Sequence, residues 1–427
     1  MIPQPIPTPR PVPLAQRFGF VRAQTRALAA PLTAEDCTIQ SMPDASPVKW
    51  HLAHTTWFFE TFVLARHAPT RKPFHPAFKV LFNSYYNAVG DKHPRPQRGL
   101  LSRPSLAQVM EYRDAIDAEV TELLAAGALA PELAALVELG THHEQQHQEL
   151  ILTDLKHMLS CNPLRPTYQK QWPLTLVSPR QMRWIRIEEG VREIGHDGTG
   201  FAFDNEGPRH KTWIHAFEIA SHPVTHGDFL RFIEDGGYRR PELWLSAGWD
   251  QVVAREWRAP LYWELMDGAW QTFTLRGMAP IEPNTPVCHV SFFEADAFAR
   301  WAGARLPTEA EWEVAVQGTP REGNFLESNA LHPLALREPA AGGTIAQAFG
   351  DVWEWTRSDY SPYPGFAPAA GAVGEYNGKF MANQYVLRGG SCATPASHIR
   401  PTYRNFFPAE ARWQFSGLRL ARDAQVA

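Results

Sequence analysis

The chain of 427 residues has no apolar run approaching the roughly 20 residues that a membrane-spanning helix needs. Its start also lacks the apolar core of a secretory signal. Neither positive nor negative charge dominates. The chain has 41 lysines and arginines and 45 aspartates and glutamates, which gives a net charge of −4. This balance gives no electrostatic reason to expect nucleic acid or an anionic membrane as a partner.

Cysteine is also scarce, and the four present are widely separated: Cys37, Cys161, Cys288 and Cys392. None forms a CxxC pair or a zinc-ribbon spacing, so we expect free thiols in a reducing cytoplasm. The chain has no internal repeat. Proline, by contrast, is abundant at 37 residues and alternates from Pro3 to Pro13. This pattern predicts a stiff, polyproline-like tail over residues 1–13.

Residues 14–165 repeat apolar side chains at three- and four-residue spacing, which predicts about four long helices. A four-helix bundle is the economical arrangement for them. Ser46 is expected to cap the second helix, with Pro47 at its first position. Residues 80–103 are not periodic and are expected to form a long functional loop.

A proline-punctuated linker is expected at residues 166–180, followed by a second domain at residues 181–427. The strand-like segments of this domain are short, and glycine-, tryptophan- and proline-rich loops separate them. Two helices are expected to begin with capping boxes, formed by Ser291 with Glu294 and by Thr308 with Glu311. The predicted fold class is therefore α plus α+β.

The segment THHEQQHQEL, residues 141–150, crowds three histidines into the last bundle helix. At about 100° per residue, His143 and His147 fall within the apolar stripe of this helix, and His142 lies about 100° away. Core histidines satisfied by hydrogen bonds are the simplest explanation for one such residue. Two buried imidazoles one turn apart need partners, and a metal ion supplies them.

A third imidazole is available on the second bundle helix. His54 shares its face with Trp50, Trp57 and Phe58, so it is expected to point inward, whereas His51 lies about 60° off and competes with it. We therefore predict a metal site formed by His54, His143 and His147. Three neutral imidazoles with open coordination positions suit Zn(II) and Fe(II) equally well.

Two sets of motifs resemble one known family. DASPVKWHLAHTTWF (44–58) and HHEQQH (142–147) resemble the iron-binding segments of ergothioneine-biosynthesis sulfoxide synthases. Five further motifs resemble the second domain of these enzymes: RLPTEAEWE (305–313), GDVWEWT (350–356), VLRGGS (386–391), RPTYRNFFP (400–408) and GLRLAR (417–422). The resemblance implies a DNA-damage-inducible-type four-helix bundle followed by a domain similar to formylglycine-generating enzymes, which have a C-type-lectin-like fold.

The resemblance also implies an activity. The three histidines would hold a non-haem Fe(II), and O2 would drive the joining of a thiol to C2 of the imidazole of hercynine (Nα-trimethylhistidine). The product is a sulfoxide on the ergothioneine pathway, and cysteine or γ-glutamylcysteine is the implied donor. The closely related selenoneine synthases join a selenosugar to the same carbon, and the motifs leave the two donors open.

Individual site residues are implied in the same way. One subgroup takes a proton- or electron-donating tyrosine from the bundle loop, which offers Tyr86 first and Tyr85 second. Packing of the loop against the second domain is the alternative role for both tyrosines. Gln146 resembles an amide that contacts hercynine, and Asn405 resembles the residue that meets the carboxylate of hercynine.

The donor side of the predicted site departs from one subgroup. Arg95 and Arg98 resemble a clamp for the donor carboxylate, which a guanidinium can grip with two hydrogen bonds. Phe406 and Phe407 stand where the γ-glutamylcysteine-using subgroup has Trp-Asp, which favours cysteine or another small donor.

Two further aromatic residues are candidates for the hercynine side of the site. Trp413 and Phe415 could face the trimethylammonium group, with a cation–π attraction of about 0.5–2 kcal/mol. Core packing is the commoner use of such residues.

Three other functions are alternatives to the one that the resemblance implies. A formylglycine-generating oxidase needs a pair of active-site cysteines, and this chain has only Cys392 after RGGS. A metal-dependent thiol transferase would explain the bundle but not the motifs of the second domain. A binding module without catalysis would not need the complete histidine set.

Overall fold

The computed structural model describes residues 12–127, 129–170, 177, 181–337, 344–369 and 372–424. The chain divides into two compact units. The first comprises Met1–Ser84 and Asp91–Gln148, and the second comprises Tyr85–Gly90 and Glu149–Ala427. The predicted proline-rich tail lies outside the described residues except for its last two positions, as do residues 171–176 and 178–180 of the predicted linker.

Long helices dominate the first unit. They are α1 (Leu14–Ala29), α2 (Val48–Phe59), α5 (Leu106–Ala125) and α6 (Pro131–Ser160), of which α6 continues into the second unit. A π-helical turn, Glu60–Leu64, extends α2 into the short helix α3 (Ala65–His67), and α4 spans Phe78–Leu81. The four long helices are those predicted from the periodicity. None of the described helices is both long enough and apolar enough to cross a bilayer.

Helix α2 is the most deeply buried helix of the bundle, since all of its residues are buried. Gly140 on α6 allows that helix to approach α2 closely, because a Cβ atom at this position would lie only 2.5 Å from Cε1 of Phe59. The prediction for Ser46 is wrong: Pro47 occupies the N-cap position, and no side chain caps α2. The Ser46 hydroxyl instead accepts a hydrogen bond of 2.9 Å from Arg98.

The described part of the second unit contains twelve short strands. They are β1 (Trp184–Ile187), β2 (Gly190–Ile194), β3 (His210–Ile214), β4 (Phe217–Ala220), β5 (Trp263–Met266), β6 (Ala269–Thr274), β7 (Gly277–Pro280), β8 (Trp353–Asp359), β9 (Gln384–Arg388), β10 (Asn405–Pro408), β11 (Ser416–Leu418) and β12 (Ala421–Asp423). They form sheets of order β1-β4-β12, β2-β3, β5-β6-β7 and β10-β9-β8-β11. All pairings are antiparallel except that of β11 with β8.

Helices of the second unit lie between these strands. They are α7 (His226–Glu234), α8 (Ser246–Ala254), α9 (Phe292–Trp301), α10 (Glu309–Ala315) and α11 (Glu375–Gly378). Both predicted capping boxes are present, at Ser291 before α9 and at Thr308 before α10. Each box satisfies two backbone N–H groups at a helix start, which explains why these two helices could be predicted within an irregular domain.

Several charged residues of the second-domain motifs form a buried ionic core. The Glu309 carboxylate accepts hydrogen bonds from Arg388 at 3.0 Å and from Arg404 at 2.9 Å. Arg388 also bonds Glu313 at 3.0 Å. Burying such charges is favourable only when they are paired and hydrogen-bonded, as here. These motif residues therefore hold the domain together.

A buried histidine of the second unit should make the unit sensitive to acid. His226 is 2% exposed, with Nδ1 3.0 Å from the carbonyl oxygen of Glu282. Burial lowers the pKa of His226 from 6.5 to about 4, although the backbone hydrogen bond to Glu282 opposes this shift. The unfolded chain therefore binds a proton between these pH values that the folded chain does not, so stability is lost as the pH falls from 6.5 to 4.

We expect His226→Gln, which cannot titrate, to remove up to about 3 kcal/mol of this acid-induced loss in the free energy of unfolding. Urea unfolding followed by tryptophan fluorescence at pH 7, 5.5 and 4 measures the difference. An identical loss in the variant and in the unsubstituted protein would show that His226 does not contribute.

Candidate metal centre and surrounding residues

Three histidines of the first unit converge in its interior. His54 comes from α2, and His143 and His147 come from successive turns of α6. One possible ligand atom from each lies within 4.8 Å of the other two, and no other such group of three occurs among the described residues. The side chains are 2%, 5% and 8% exposed, so a bound ion would be largely shielded from water. The predicted trio is thus brought together.

Hydrogen bonds orient two of the rings. The Nδ1 atom of His54 lies 2.6 Å from the carbonyl oxygen of Phe82, which can only accept, so this nitrogen carries the proton. The Nδ1 atom of His147 lies 2.8 Å from Nδ1 of His51. Both rings therefore have Nε2 left for a metal, and contacts of this kind typically fix ligating histidines. His51, the competitor predicted from the sequence, contacts His147 and is not part of the cluster.

The third ring lacks such a support. Nδ1 of His143 is buried and has no hydrogen-bond partner among the described residues. An unpaired buried nitrogen is costly, and a metal ion would supply the missing partner. The donor set, three imidazole nitrogens and no carboxylate, fits a divalent transition metal.

All three imidazoles are neutral at neutral pH. Burial lowers the pKa of His143 to about 4. Burial likewise lowers the pKa of His54 and of His147 well below 6.5, and the neighbouring imidazoles lower both further. Metal binding requires the unprotonated ring, so the site is already in its ligating form without having to release protons.

Aromatic residues pack against the ring of His54, the histidine contributed by α2. The His54 ring stacks on Trp50, with centroids 4.5 Å apart and planes 13° from parallel, and on Trp57 at 5.5 Å and 15°. The guanidinium carbon of Arg98 lies 3.4 Å from the centroid of the Trp50 ring. These contacts restrict rotation of the His54 ring and place a positive charge one aromatic ring away from it.

Glu144, directly after His143, is not available as a fourth ligand. Its two carboxylate oxygens accept hydrogen bonds from Arg22 at 2.7 Å and from Arg113 at 2.8 Å. Burial alone would raise the pKa of Glu144, but the two guanidinium groups outweigh burial and lower it to about 2. Sequence reasoning missed this residue, whose only signal is a charged side chain on the ligand helix.

Two known protein families match the two parts of this chain. The sulfatase-modifying factor enzyme 1-like domain family matches residues 175–424, and the DinB superfamily matches residues 17–151. Hercynine oxygenase from Mycolicibacterium thermoresistibile is 34% identical over 89% of this chain and 88% of its own length. The chain belongs to the ergothioneine sulfoxide synthase family. The matches confirm the predicted fold class, a helical bundle followed by a formylglycine-generating-enzyme-like domain.

Two further relatives show how much of the chain each kind of enzyme matches. Hercynine oxygenase from Mycobacterium tuberculosis is 33% identical over 97% of this chain and 99% of its own length. Formylglycine-generating enzyme from Streptomyces coelicolor is 31% identical but matches only 58% of this chain. The two hercynine oxygenases therefore match 89% and 97% of this chain, whereas this formylglycine-generating enzyme matches little more than half.

Three residues expected to bind substrate in a sulfoxide synthase lie in the first unit. Gln146 is half-buried on α6, between His143 and His147. Arg98 is 4% exposed and donates hydrogen bonds to the hydroxyls of Ser46 at 2.9 Å and Ser84 at 3.0 Å. Arg95 is half-buried and donates a hydrogen bond to the carbonyl oxygen of Asp44.

The two candidate tyrosines lie in the second unit. The Tyr85 ring packs edge-on against Tyr376 at 5.8 Å and Phe380 at 4.9 Å. Tyr86 is 4% exposed, and burial raises the pKa of its phenol. Tyr376 was not singled out from the sequence, because no spacing relates it to the bundle loop, yet its contact with Tyr85 adds a third phenol to the candidates.

The remaining predicted residues lie near the carboxyl end of the chain. The side-chain oxygen of Asn405 accepts a hydrogen bond from the backbone N–H of Phe406 at 3.0 Å. Phe406 stacks on Tyr360 at 4.1 Å, and Phe407 packs edge-on against Trp413 at 5.8 Å.

Phe415 differs from the other aromatic candidates in being fully buried. Its ring lies 5.1 Å from the Nζ atom of Lys156, so a cation of the same unit already lies beside it. Phe415 therefore packs within the second unit, and its predicted contact with the trimethylammonium group stays a prediction.

Proposed function

We propose that this chain catalyses the Fe(II)- and O2-dependent joining of a thiol donor to C2 of the hercynine imidazole, forming a sulfoxide. The single observation that carries the proposal is the buried cluster of His54, His143 and His147. Family membership supports the substrate, since two relatives matched over most of the chain are named hercynine oxygenase. These relatives match the chain over both domains, which supports an enzyme in which both domains take part.

The proposed reaction balances without a further reductant. The C2–H bond of hercynine and the S–H bond of the donor break, and a C–S bond and an S–O bond form. One oxygen atom of O2 enters the sulfoxide, and the other leaves as water with the two hydrogens. Forming the C–S bond and oxidising the sulfur each remove two electrons, which together account for the full reduction of O2.

The ligand set suits this chemistry. Fe(II), when bound, would supply redox chemistry with O2 and a positive charge for an anionic sulfur donor. The three imidazoles are neutral, and the carboxylate of Glu144, which directly follows His143, is neutralised by Arg22 and Arg113. The site would therefore keep the full charge of the ion, which favours binding of a thiolate over a neutral thiol.

The remaining roles are assigned to residues of this chain. Gln146 would hydrogen-bond hercynine, and Asn405 would bind its carboxylate. Arg95 and Arg98 would bind the carboxylate of the donor, because a guanidinium can form two parallel hydrogen bonds with it. Three aromatic residues are assigned to the walls of the substrate site: Phe406, Phe407 and Trp413.

Incubation of the Fe(II)-loaded protein in air with hercynine and one donor at a time tests the proposal. The donors are cysteine, γ-glutamylcysteine and a selenosugar, and mass spectrometry identifies the product. A sulfoxide with cysteine is the expected result, since Phe406 and Phe407 replace the Trp-Asp pair. A C–Se product with the selenosugar alone would replace the proposal by the selenoneine reaction, and consumption of thiol without hercynine would indicate a thiol transferase or oxidase.

Tyr86 is proposed to deliver a proton during the coupling, and Tyr86→Phe removes its hydroxyl while keeping the ring. We expect the rate of sulfoxide formation to fall about 10²–10⁴-fold, the usual range for a lost general acid, with more donor oxidised without coupling. Product ratios from mass spectrometry measure the change. Tyr85→Phe and Tyr376→Phe are the matched variants, and a loss in either of these with full activity in Tyr86→Phe would transfer the role to that residue.

A further inference from the structure

We infer that Glu144 is a positioning residue: through Arg22 and Arg113 it fixes the rotation of α6 relative to α2, and thereby the spacing of the metal ligands on the two helices. The inference rests on the proposed metal site. It concerns residues outside the cluster of His54, His143 and His147, and it gives a buried ionic network of the bundle a role in metal binding.

The network connects the residues that directly follow two of the ligands. Glu144 follows His143 on α6, and Thr55 follows His54 on α2. Arg113 of α5 joins them, since it donates to Glu144 at 2.8 Å and to the Thr55 hydroxyl at 3.0 Å. Arg113 also donates to the carbonyl oxygen of Leu52, one turn before Thr56, at 3.1 Å.

A second guanidinium forms a parallel connection. Arg22 of α1 donates to the other Glu144 oxygen at 2.7 Å and to the Thr56 hydroxyl at 2.9 Å. It also pairs with Asp117 at 2.5 Å. Because both oxygens of one carboxylate are tied to α2 through two separate guanidinium groups, α6 cannot turn about its axis without breaking at least one charged hydrogen bond.

Small rotations matter at a metal site. Side chains reach about 5–6 Å from a helix axis, so a rotation of 10° moves a ligand atom by about 1 Å. Metal–ligand distances tolerate only about 0.2 Å. Apolar contacts between the helices are less directional than charged hydrogen bonds, so the network is a structural feature that can hold the rotation within this tolerance.

The charges of this network cancel one another. Glu144 and Asp117 carry two negative charges, and Arg22 and Arg113 carry two positive ones, so the network is neutral as a whole. Glu144, Arg113 and Arg22 are 0%, 0% and 3% exposed. The network therefore adds no net charge that would attract or repel the ion, and its effect on binding is geometric.

Co(II) binding by the full-length protein tests the inference, with the dissociation constant from chelator competition and the ligand-field absorption spectrum as readouts. Glu144→Gln should raise the dissociation constant about 10–100-fold, the range found for residues that orient metal ligands, and should alter the spectrum. Thr55→Val, which removes the hydroxyl but keeps the shape, should raise it about fivefold, as expected for one hydrogen bond. Thr55→Ser, which retains the hydroxyl, should restore wild-type binding.

Val120→Ala is the control for a merely structural effect, because it opens a cavity at a fully buried α5 residue that cannot hydrogen-bond with the network. It should lower the unfolding temperature of the metal-free protein without changing the Co(II) spectrum. Wild-type binding and spectra in both Glu144→Gln and Thr55→Val would overturn the inference, as would an equal effect of Val120→Ala. If Glu144→Gln does not fold, the comparison of Thr55→Val with Thr55→Ser decides whether the inference holds. Absence of Co(II) binding by the wild-type protein would instead overturn the proposed metal site.

Discussion

Replacing His143 with alanine is expected to abolish iron binding and, with it, O2 consumption in the presence of hercynine. The substitution leaves two imidazoles, His54 and His147, in a pocket whose third donor cannot be replaced by a nearby carboxylate, because Arg22 and Arg113 occupy both oxygens of Glu144. The loss of affinity should exceed the roughly 10–100-fold effect of residues that only orient a ligand. Iron per chain after anaerobic reconstitution and desalting is the measurement.

His142→Ala is the matched control. His142 is the neighbouring residue on the same helix and is also buried, at 2% exposure, but its ring contacts Arg17 and lies outside the cluster. This variant should retain one iron per chain. Stoichiometric iron in His143→Ala, with a folded protein by circular dichroism, would refute the assignment of the metal centre.

The convergence of the three histidines could be predicted because local geometry determines the direction of each side chain. On a helix with known periodicity, each side chain has a fixed angle to the apolar stripe, so His143, His147 and His54 were distinguishable from His142. The angle around the helix axis separates His51 from His54 less clearly, because the two residues lie only about 60° apart. Both point inward in the structure, and the distinction comes from the tertiary contact between His51 and His147.

The supports of the site could not be predicted, because they join residues far apart in the chain. Glu144 meets Arg22 and Arg113 across 122 and 31 positions. Periodicity describes one helix at a time and does not show which charged residues meet once helices pack. For the same reason Ser46 was expected to cap a helix, whereas its hydroxyl bonds Arg98, 52 positions away.

The second unit was predictable only where a local rule applied. The capping boxes at Ser291 and Thr308 follow from residues three positions apart, and both are present. The strands are three to seven residues long, and burial does not simply alternate along β8 and β11. Their pairing depends on long-range contacts, such as that of β8 with β11, which no local signal reveals.

Arg419→Met is expected to be the most destabilising of the changes considered in the second unit. Arg419 in GLRLAR and Glu354 in GDVWEWT are both 0% exposed and pair at 2.7 Å. Trp312 also donates to the Glu354 carboxylate, at 2.7 Å. Removing the guanidinium leaves a buried carboxylate without a counter-ion, which costs about 3–5 kcal/mol in the free energy of unfolding.

A double variant separates the cost of the unpaired charge from the loss of packing. Glu354→Gln combined with Arg419→Met removes the charge but keeps an amide oxygen for Trp312, so we expect it to be more stable than Arg419→Met alone. Arg422→Met is the exposed counterpart in the same motif, since Arg422 pairs with Glu218 at 44% and 23% exposure. It should cost less than about 1 kcal/mol. Urea unfolding followed by tryptophan fluorescence compares the three variants. A double variant no more stable than Arg419→Met would mean that packing, and not the buried charge, makes Arg419 essential to the fold.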